Sequence, residues 1–103
     1  MEFFVDTVSV EENIYYLTGV CDRGIITLDS FFYKIYRYTR GKDSQGFPVT
    51  SGKEFLSDTK LQVKRIRAYR HDLDELHQGM SAELWLIGEG EVYLKPKLLL
   101  GQN

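Results

Sequence analysis

One cysteine, two prolines and one tryptophan in 103 residues set the first limits on this chain. With Cys21 alone, no disulfide can form within it, and a reducing cytoplasm is the default compartment. No basic start followed by an apolar stretch and a small-residue cleavage site marks a signal peptide. No apolar run approaches the roughly 20 residues a membrane-spanning helix needs, and charged residues interrupt the chain every few positions, so no membrane association is expected. No Gly-x-x-x-x-Gly-Lys-Ser/Thr loop is present to cradle phosphates, which excludes nucleotide hydrolysis. Cys21 has no CxxC partner and the two histidines, His71 and His77, are not spaced as a helical pair, so neither a metal nor a cofactor is expected.

What is present is globular. Hydrophobic residues make up 43% and aromatics 14%, and no low-complexity tract or evident internal repeat divides the sequence. A single domain over residues 1–103, large enough to bury one core, is the expectation. The net charge of −2 hides an uneven distribution. Residues 1–29 carry six acids against Arg23; residues 34–70 carry ten Lys or Arg against Asp43, Glu54 and Asp58; residues 72–91 carry six acids and no Lys or Arg. Such a surface either steers charged partners or is simply well solvated.

Local patterns read as strands. Phe3 to Val8 and Ile14 to Val20 are β-rich and bounded by polar clusters. Gly24 supplies a turn residue before Ile25 to Leu28, which makes 14–28 a hairpin candidate. From Ser30 to Thr39 the chain alternates, with Phe31, Tyr33 and Ile35 on one face and Phe32, Lys34, Tyr36 and Tyr38 on the other. Gly41, Gly46, Pro48 and Gly52 predict a long surface loop over 41–53. The apolar phase slips between Val63 and Ile66, which predicts a β-bulge near Lys64 and Arg65. Asp72-Leu73-Asp74-Glu75 has the capping-box pattern, so one helical turn is expected over 73–77, ended by Gly79. Ala82 to Ile87, Val92 to Leu94 and Leu98 to Leu100 complete the set. The fold class expected is all-β: a small antiparallel β-barrel of about six strands with one short helical turn.

Thr18-Gly19-Val20-Cys21-Asp22-Arg23-Gly24, followed by Ile25 to Leu28, resembles the Thr-Gly-x-[Val/Cys]-x-x-Gly hairpin in the second domain of elongation-factor-type translational GTPases. Phe4 to Val8 is similar to that domain's opening strand. Val63 to Ile66, Tyr69, Leu73, Leu76, Gly79 and Ala82 to Gly88 follow its second half in order, so the resemblance spans roughly residues 3 to 88. It departs at Glu12-Asn13-Ile14-Tyr15, where the family often has Gly-x-Gly-Thr, and at Asp29-Ser30, where its Gly-Asp is shifted. The resemblance implies a stand-alone translation-protein β-barrel, a domain that in the family packs beside a GTP-binding domain and, in the tRNA-carrying factor, touches the aminoacylated acceptor end.

Candidate binding residues follow from charge and rings. Lys34, Tyr36, Tyr38 and Arg40 fall on one strand face, interleaving cations for phosphates with rings for base stacking, and Arg65, Arg67 and Arg70 extend that surface if the two strands pair. The bland alternative is that the tyrosines cover a barrel wall while cationic stems shield apolar surface. Tyr and Arg are also favoured protein-interface anchors. His71 and His77 flank Asp72, Asp74 and Glu75, and Asp6, Asp22, Asp29 and Ser30 form a carboxylate-assisted nucleophile only if the fold gathers them with a histidine. Trp85 reads as a core or interface ring. The expectation is a non-enzymatic cytoplasmic module that binds a protein, as a small inhibitor, immunity protein or adaptor. RNA binding through the Lys34 to Arg40 face is the alternative.

Overall fold

The computed structural model describes residues 1–88 and 94–102, the side chains of Arg40, Thr50 and Ser51 excepted. Among the described residues nine strands follow one another: β1 (Glu2–Glu11), β2 (Ile14–Arg23), β3 (Ile25–Thr27), β4 (Phe31–Lys42), β5 (Pro48–Ala68), β6 (His71–Leu73), β7 (Glu75–His77), β8 (Ser81–Gly88) and β9 (Leu98–Gly101). Six of them close into an antiparallel barrel in the order β1-β2-β8-β5-β4-β9, with β9 returning to β1. The period-two alternation explains the wall. Along β8, Ala82, Leu84 and Leu86 are buried while Ser81, Glu83 and Trp85 face outward. Phe3, Val5, Leu17, Phe32, Ile35 and Ile66 meet them inside, and among the described residues no polar or charged one is buried.

The β1–β2 hairpin turns on Glu12 (φ 51°) and Asn13 (φ 68°), the left-handed pair that a two-residue turn between twisted strands requires. Gly19 lets β1 and β2 approach. A Cβ there would lie 2.0 Å from the Phe4 carbonyl oxygen and about as near to the Phe3 ring as 2.9 Å. Beside it the register slips between Val5 and Thr7, leaving Asp6 as the extra residue of a bulge.

A reciprocal clasp relates the two halves. The Asp29 amide donates to the Val63 carbonyl (2.8 Å) and the Val63 amide to the Ser30 carbonyl (2.9 Å). In the same pattern the Gly79 amide donates to the Cys21 carbonyl (2.8 Å) and the Cys21 amide to the Met80 carbonyl (2.9 Å). Asp29 (φ 64°) and Gly79 (φ 89°) hold the left-handed corner of each turn. Between them β3 pairs with β7, and Ile26 and Leu76, opposite one another and fully buried, plug one end of the barrel.

Four expectations are corrected here. The 14–28 hairpin is absent: Gly24 (φ 74°) bends the chain away from β2, which pairs with β1 and β8, while β3 crosses to β7. The 41–53 loop is instead a two-stranded ribbon, because Asp43 accepts the amides of Gln45 and Phe47 (both 2.9 Å) and closes a compact turn, leaving Pro48 at a strand start where its missing N–H costs nothing. The helical turn over 73–77 is replaced by β6 and β7, since pairing with β5 and β3 outweighs a local capping pattern. The face assignment in β4 also shifts: Phe32 and Ile35 are both inside, across a register slip between Phe32 and Lys34 where Tyr33 stands opposite two β5 residues, Thr59 and Lys60. The bulge near Lys64 is present, between Val63 and Arg65. The strand expected over 92–94 falls largely outside the described residues.

Replacing Gly19 by alanine is expected to destabilise the barrel by about 3 kcal/mol, because the methyl meets a backbone oxygen with no room to yield. Urea unfolding of the variant beside the parent measures it.

Candidate binding surface

Lys34, Tyr36 and Tyr38 emerge together on the outer wall where β4, β9 and β1 lie side by side. Phe4 and Tyr36 stand directly opposite Leu99 on its two flanks, and Leu99, which points out of the barrel, has no exposed surface. Phe4 and Tyr38 rings meet at 5.9 Å, and Tyr36 packs its ring at 69° to Phe55 at 5.9 Å. These rings therefore form a second apolar layer over Leu99, as the bland alternative has it. Lys34 is held by Asp58 at 2.5 Å, which raises its pKa, and reaches over the Phe55 ring at 5.1 Å. Lys53 sits over Tyr36 at 4.5 Å and pairs with Glu2 at 2.6 Å. The Tyr38 hydroxyl donates to Asp22; partial burial, then that hydrogen bond to a carboxylate, push its pKa up to about 12. The side chain of Arg40 lies outside the described residues.

The three later arginines belong to another wall. Arg65 and Arg67 lie beside β8 and β6, beyond the part of β5 that pairs with β4. Arg65 grips Asp72 through two donors at 2.7 and 2.9 Å, holding that carboxyl below its usual range, and stacks over Trp85 at 4.6 Å. Trp85 in turn meets Tyr16 edge-on at 5.0 Å and donates its indole N–H to Glu83 at 3.1 Å. Arg67 has a longer contact with Asp72, 3.8 Å. Arg70 stands at the β5–β6 turn with φ 66°, next to Tyr69 at φ 53°. The pairing of β4 with β5 thus does not bring the two basic groups into one stripe.

Between these walls an open cleft of about 490 Å³ crosses the outer face of β1, β2, β8 and β5. Asp6, Thr18, Glu83 and Arg67 line it, with Phe4 and Tyr69 among its walls and the small residues Gly19, Ala68 and Ala82 between. Tyr69 is 82% exposed. Sequence reading missed this cleft. Tyr69-Arg70 carries none of the Asn-Gly chemistry of a tight turn, and nothing in the sequence signals the bulge at Asp6.

The β4–β5 ribbon is the other distinctive surface. Beyond Arg37 on β4 and before Leu61 on β5 no further strand pairs with it among the described residues. It carries Phe47 at 62% exposure, with Phe55, Val49 and Leu56 also exposed.

Of the residues weighed for catalysis, Asp22, Asp29, Ser30 and His77 are engaged elsewhere. Asp22 accepts from Tyr38, Asp29 pairs with Lys64 at 3.4 Å, Ser30 Oγ donates to the Thr27 carbonyl, and His77 contacts Glu75 at 3.0 Å. Among the described residues no three His, Cys, Asp or Glu side chains gather to hold a metal, and no helix is long and apolar enough to cross a membrane. No protein-family model matches the chain, and no curated protein is detectably similar to it in sequence.

Two titrations test the polar contacts. Because the Tyr38 pKa is raised, its contribution to stability is complete below the ordinary value of 10.0 and is lost as pH rises through about 12. The tyrosinate absorbance missing in Tyr38→Phe is expected in the last part of the titration, and Asp22→Asn is expected to move that part to lower pH. For Asp72, whose pKa is depressed, the contribution is present above 3.8 and disappears as pH falls below it. Denaturation curves of the parent and Asp72→Asn are expected to differ near neutrality and to converge in acid.

Proposed function

We propose that this chain is a non-catalytic module that binds a protein partner in the cytoplasm through the β4–β5 ribbon, acting as a small inhibitor, immunity protein or adaptor. The carrying observation is the exposure of Phe47, Phe55, Val49 and Leu56 on a ribbon that no further described strand covers. Large apolar groups with open strand edges are what protein partners bury, by side-chain anchoring or by adding a strand. Lysines and arginines paired with carboxylates along the same ribbon, such as Arg37 with Glu54 at 2.8 Å, suit a polar rim around that apolar patch.

RNA is the second reading. It draws support from the ordered resemblance to the translation-protein barrel, for which a closed six-stranded antiparallel barrel is the expected architecture. Against it stand the carboxylates opposite Lys34, Arg65 and Arg67, which compete with phosphate for these cations. A stand-alone relative of that barrel that works by contact with another macromolecule accommodates both readings.

A tagged chain recovered from native lysate, with and without RNase, separates them. The expected result is one stoichiometric protein that survives RNase and is lost from the Phe47→Ser/Phe55→Ser double variant, whose folding is checked by circular dichroism. Recovery of tRNA or ribosomal RNA that disappears on RNase treatment, with no retained protein, overturns the protein reading.

A further inference from the structure

An apolar patch stays uncovered on the outer wall of the barrel. In the β2–β8 register Ile14 stands opposite Ile87 and Tyr16 opposite Trp85. Leu84 and Leu86 alternate with the β8 pair and enter the core, so Trp85 and Ile87 point outward with their partners. The outward-pointing Leu99 is sealed by the rings around it; here Arg65 stacks over Trp85, while Ile87 is left 42% exposed. Glu11, opposite Ile14 across the β1–β2 hairpin, and Glu12 in its turn flank the patch. Both are exposed, and neither side chain has a hydrogen bond or ion pair among the described residues.

The end of the β4–β5 ribbon has the matching character. Phe47 and Val49 are exposed there on a turn that is already fixed. The Asp43 carboxylate accepts the Gln45 and Phe47 amides, the Asp43 amide donates to the Phe47 carbonyl (2.9 Å), and the Gly46 amide donates to the Asp43 carbonyl (3.0 Å). An anchor whose backbone is held in this way loses little freedom on binding. With Asp43 turned onto those amides, Lys42 beside it is exposed and without a partner among the described residues. The wall therefore offers apolar groups with unpaired acids, and the ribbon end apolar groups with an unpaired cation. Within one molecule the two do not cover each other, since both are exposed. The base of the ribbon is tied through Tyr38 to Asp22 and through Lys53 to Glu2, and ten-residue β1 sets Glu2 about 30 Å from Glu11.

We propose that the ribbon end of one copy docks on the β2–β8 wall of a second copy, with Phe47 and Val49 against Ile14 and Ile87 and with Lys42 facing Glu11 and Glu12. This deepens the protein-binding reading of the ribbon and rests on it, naming a second copy as the partner. Ribbon against ribbon would set Lys42 toward Lys42, and wall against wall would set acids toward acids, so opposite charge favours the mixed contact. Such a contact is head-to-tail: each docked copy still offers one ribbon or one wall to the next, unless the assembly closes into a ring. Few side chains take part, which places the contact among the small, weak interfaces.

The test is sedimentation velocity across a concentration series reaching millimolar, at low and high salt. Association that grows with concentration and weakens in salt is expected. Phe47→Ser and Ile87→Ser, each checked for native circular dichroism, are each expected to weaken it about tenfold or more. Mixed one to one, the two variants are expected to form a dimer that grows no further, because the first keeps its wall and the second keeps its ribbon. Lys42→Glu is expected to weaken association, and Glu11→Lys with Glu12→Lys in the same chain to restore it. A parent that is monomeric at every concentration, an Ile87→Ser variant that associates like the parent, or a variant mixture that stays monomeric overturns the proposal. A monomeric chain whose ribbon captures a different protein from lysate overturns this inference and leaves the protein-binding reading standing. Head-to-tail association in a chain that captures no other protein upholds the inference and overturns the inhibitor or adaptor role alone.

Discussion

The wall of this barrel is joined by four residues. Leu99 to Gly101 pair on one side with Glu2 to Phe4, Leu98 to Gly101 pair on the other with Lys34 to Arg37, and without them β1 and β4 would present two open edges. All four are buried. Leu98 and Leu100 enter the core, while Leu99 points outward and is still sealed. That sealing dictates the use of the nearest rings: Phe4 and Tyr36 flank Leu99, and Tyr38 packs on Phe4. The aromatic layer on this wall is thus a structural requirement of closure before it is anything else.

Electrostatics follows the same economy. The basic middle of the chain and the acidic segments on either side of it meet across strands, so charge separated in sequence is interleaved in space. Lys53 meets Glu2, Lys64 meets Asp29, and Arg65 meets Asp72, while Lys34 is met by Asp58 of the middle segment itself. These pairs are largely solvated and each contributes little to stability. Their effect is to remove the uniform positive field that a bare count of residues 34–70 suggests.

Much of the fold was legible in the sequence, because period-two alternation and glycine turns act locally. The strands around Val5, Leu17 and Leu84, the slip at Lys64 and the closed all-β architecture follow from such signals. What failed depended on partners distant in sequence. Leu76 sits in a stretch with a sound helical cap, and only its pairing with β3 makes it a strand. Gly41 to Gly52 has loop composition, and only the register with β4 and the Asp43 turn hold it extended. The same division applies to the candidate surface. Lys34, Tyr36 and Tyr38 share a face, as alternation implies, but that Arg65 and Arg67 stand on another wall depends on how far β4 and β5 remain paired. The cleft was invisible because Tyr69 and Arg70 break the residue preferences of a tight turn.

Cys21 ties one arm of the reciprocal clasp to the core. Its thiol has no exposed surface and lies 3.4 Å from the Gly24 carbonyl; burial raises its pKa, so little thiolate is available to react. Alkylating reagents therefore meet this sulfur only when the β2 clasp lets go. In a chain with a single cysteine, the rate of modification becomes a readout of how often that end of the barrel opens, obtained without introducing a label or altering a residue.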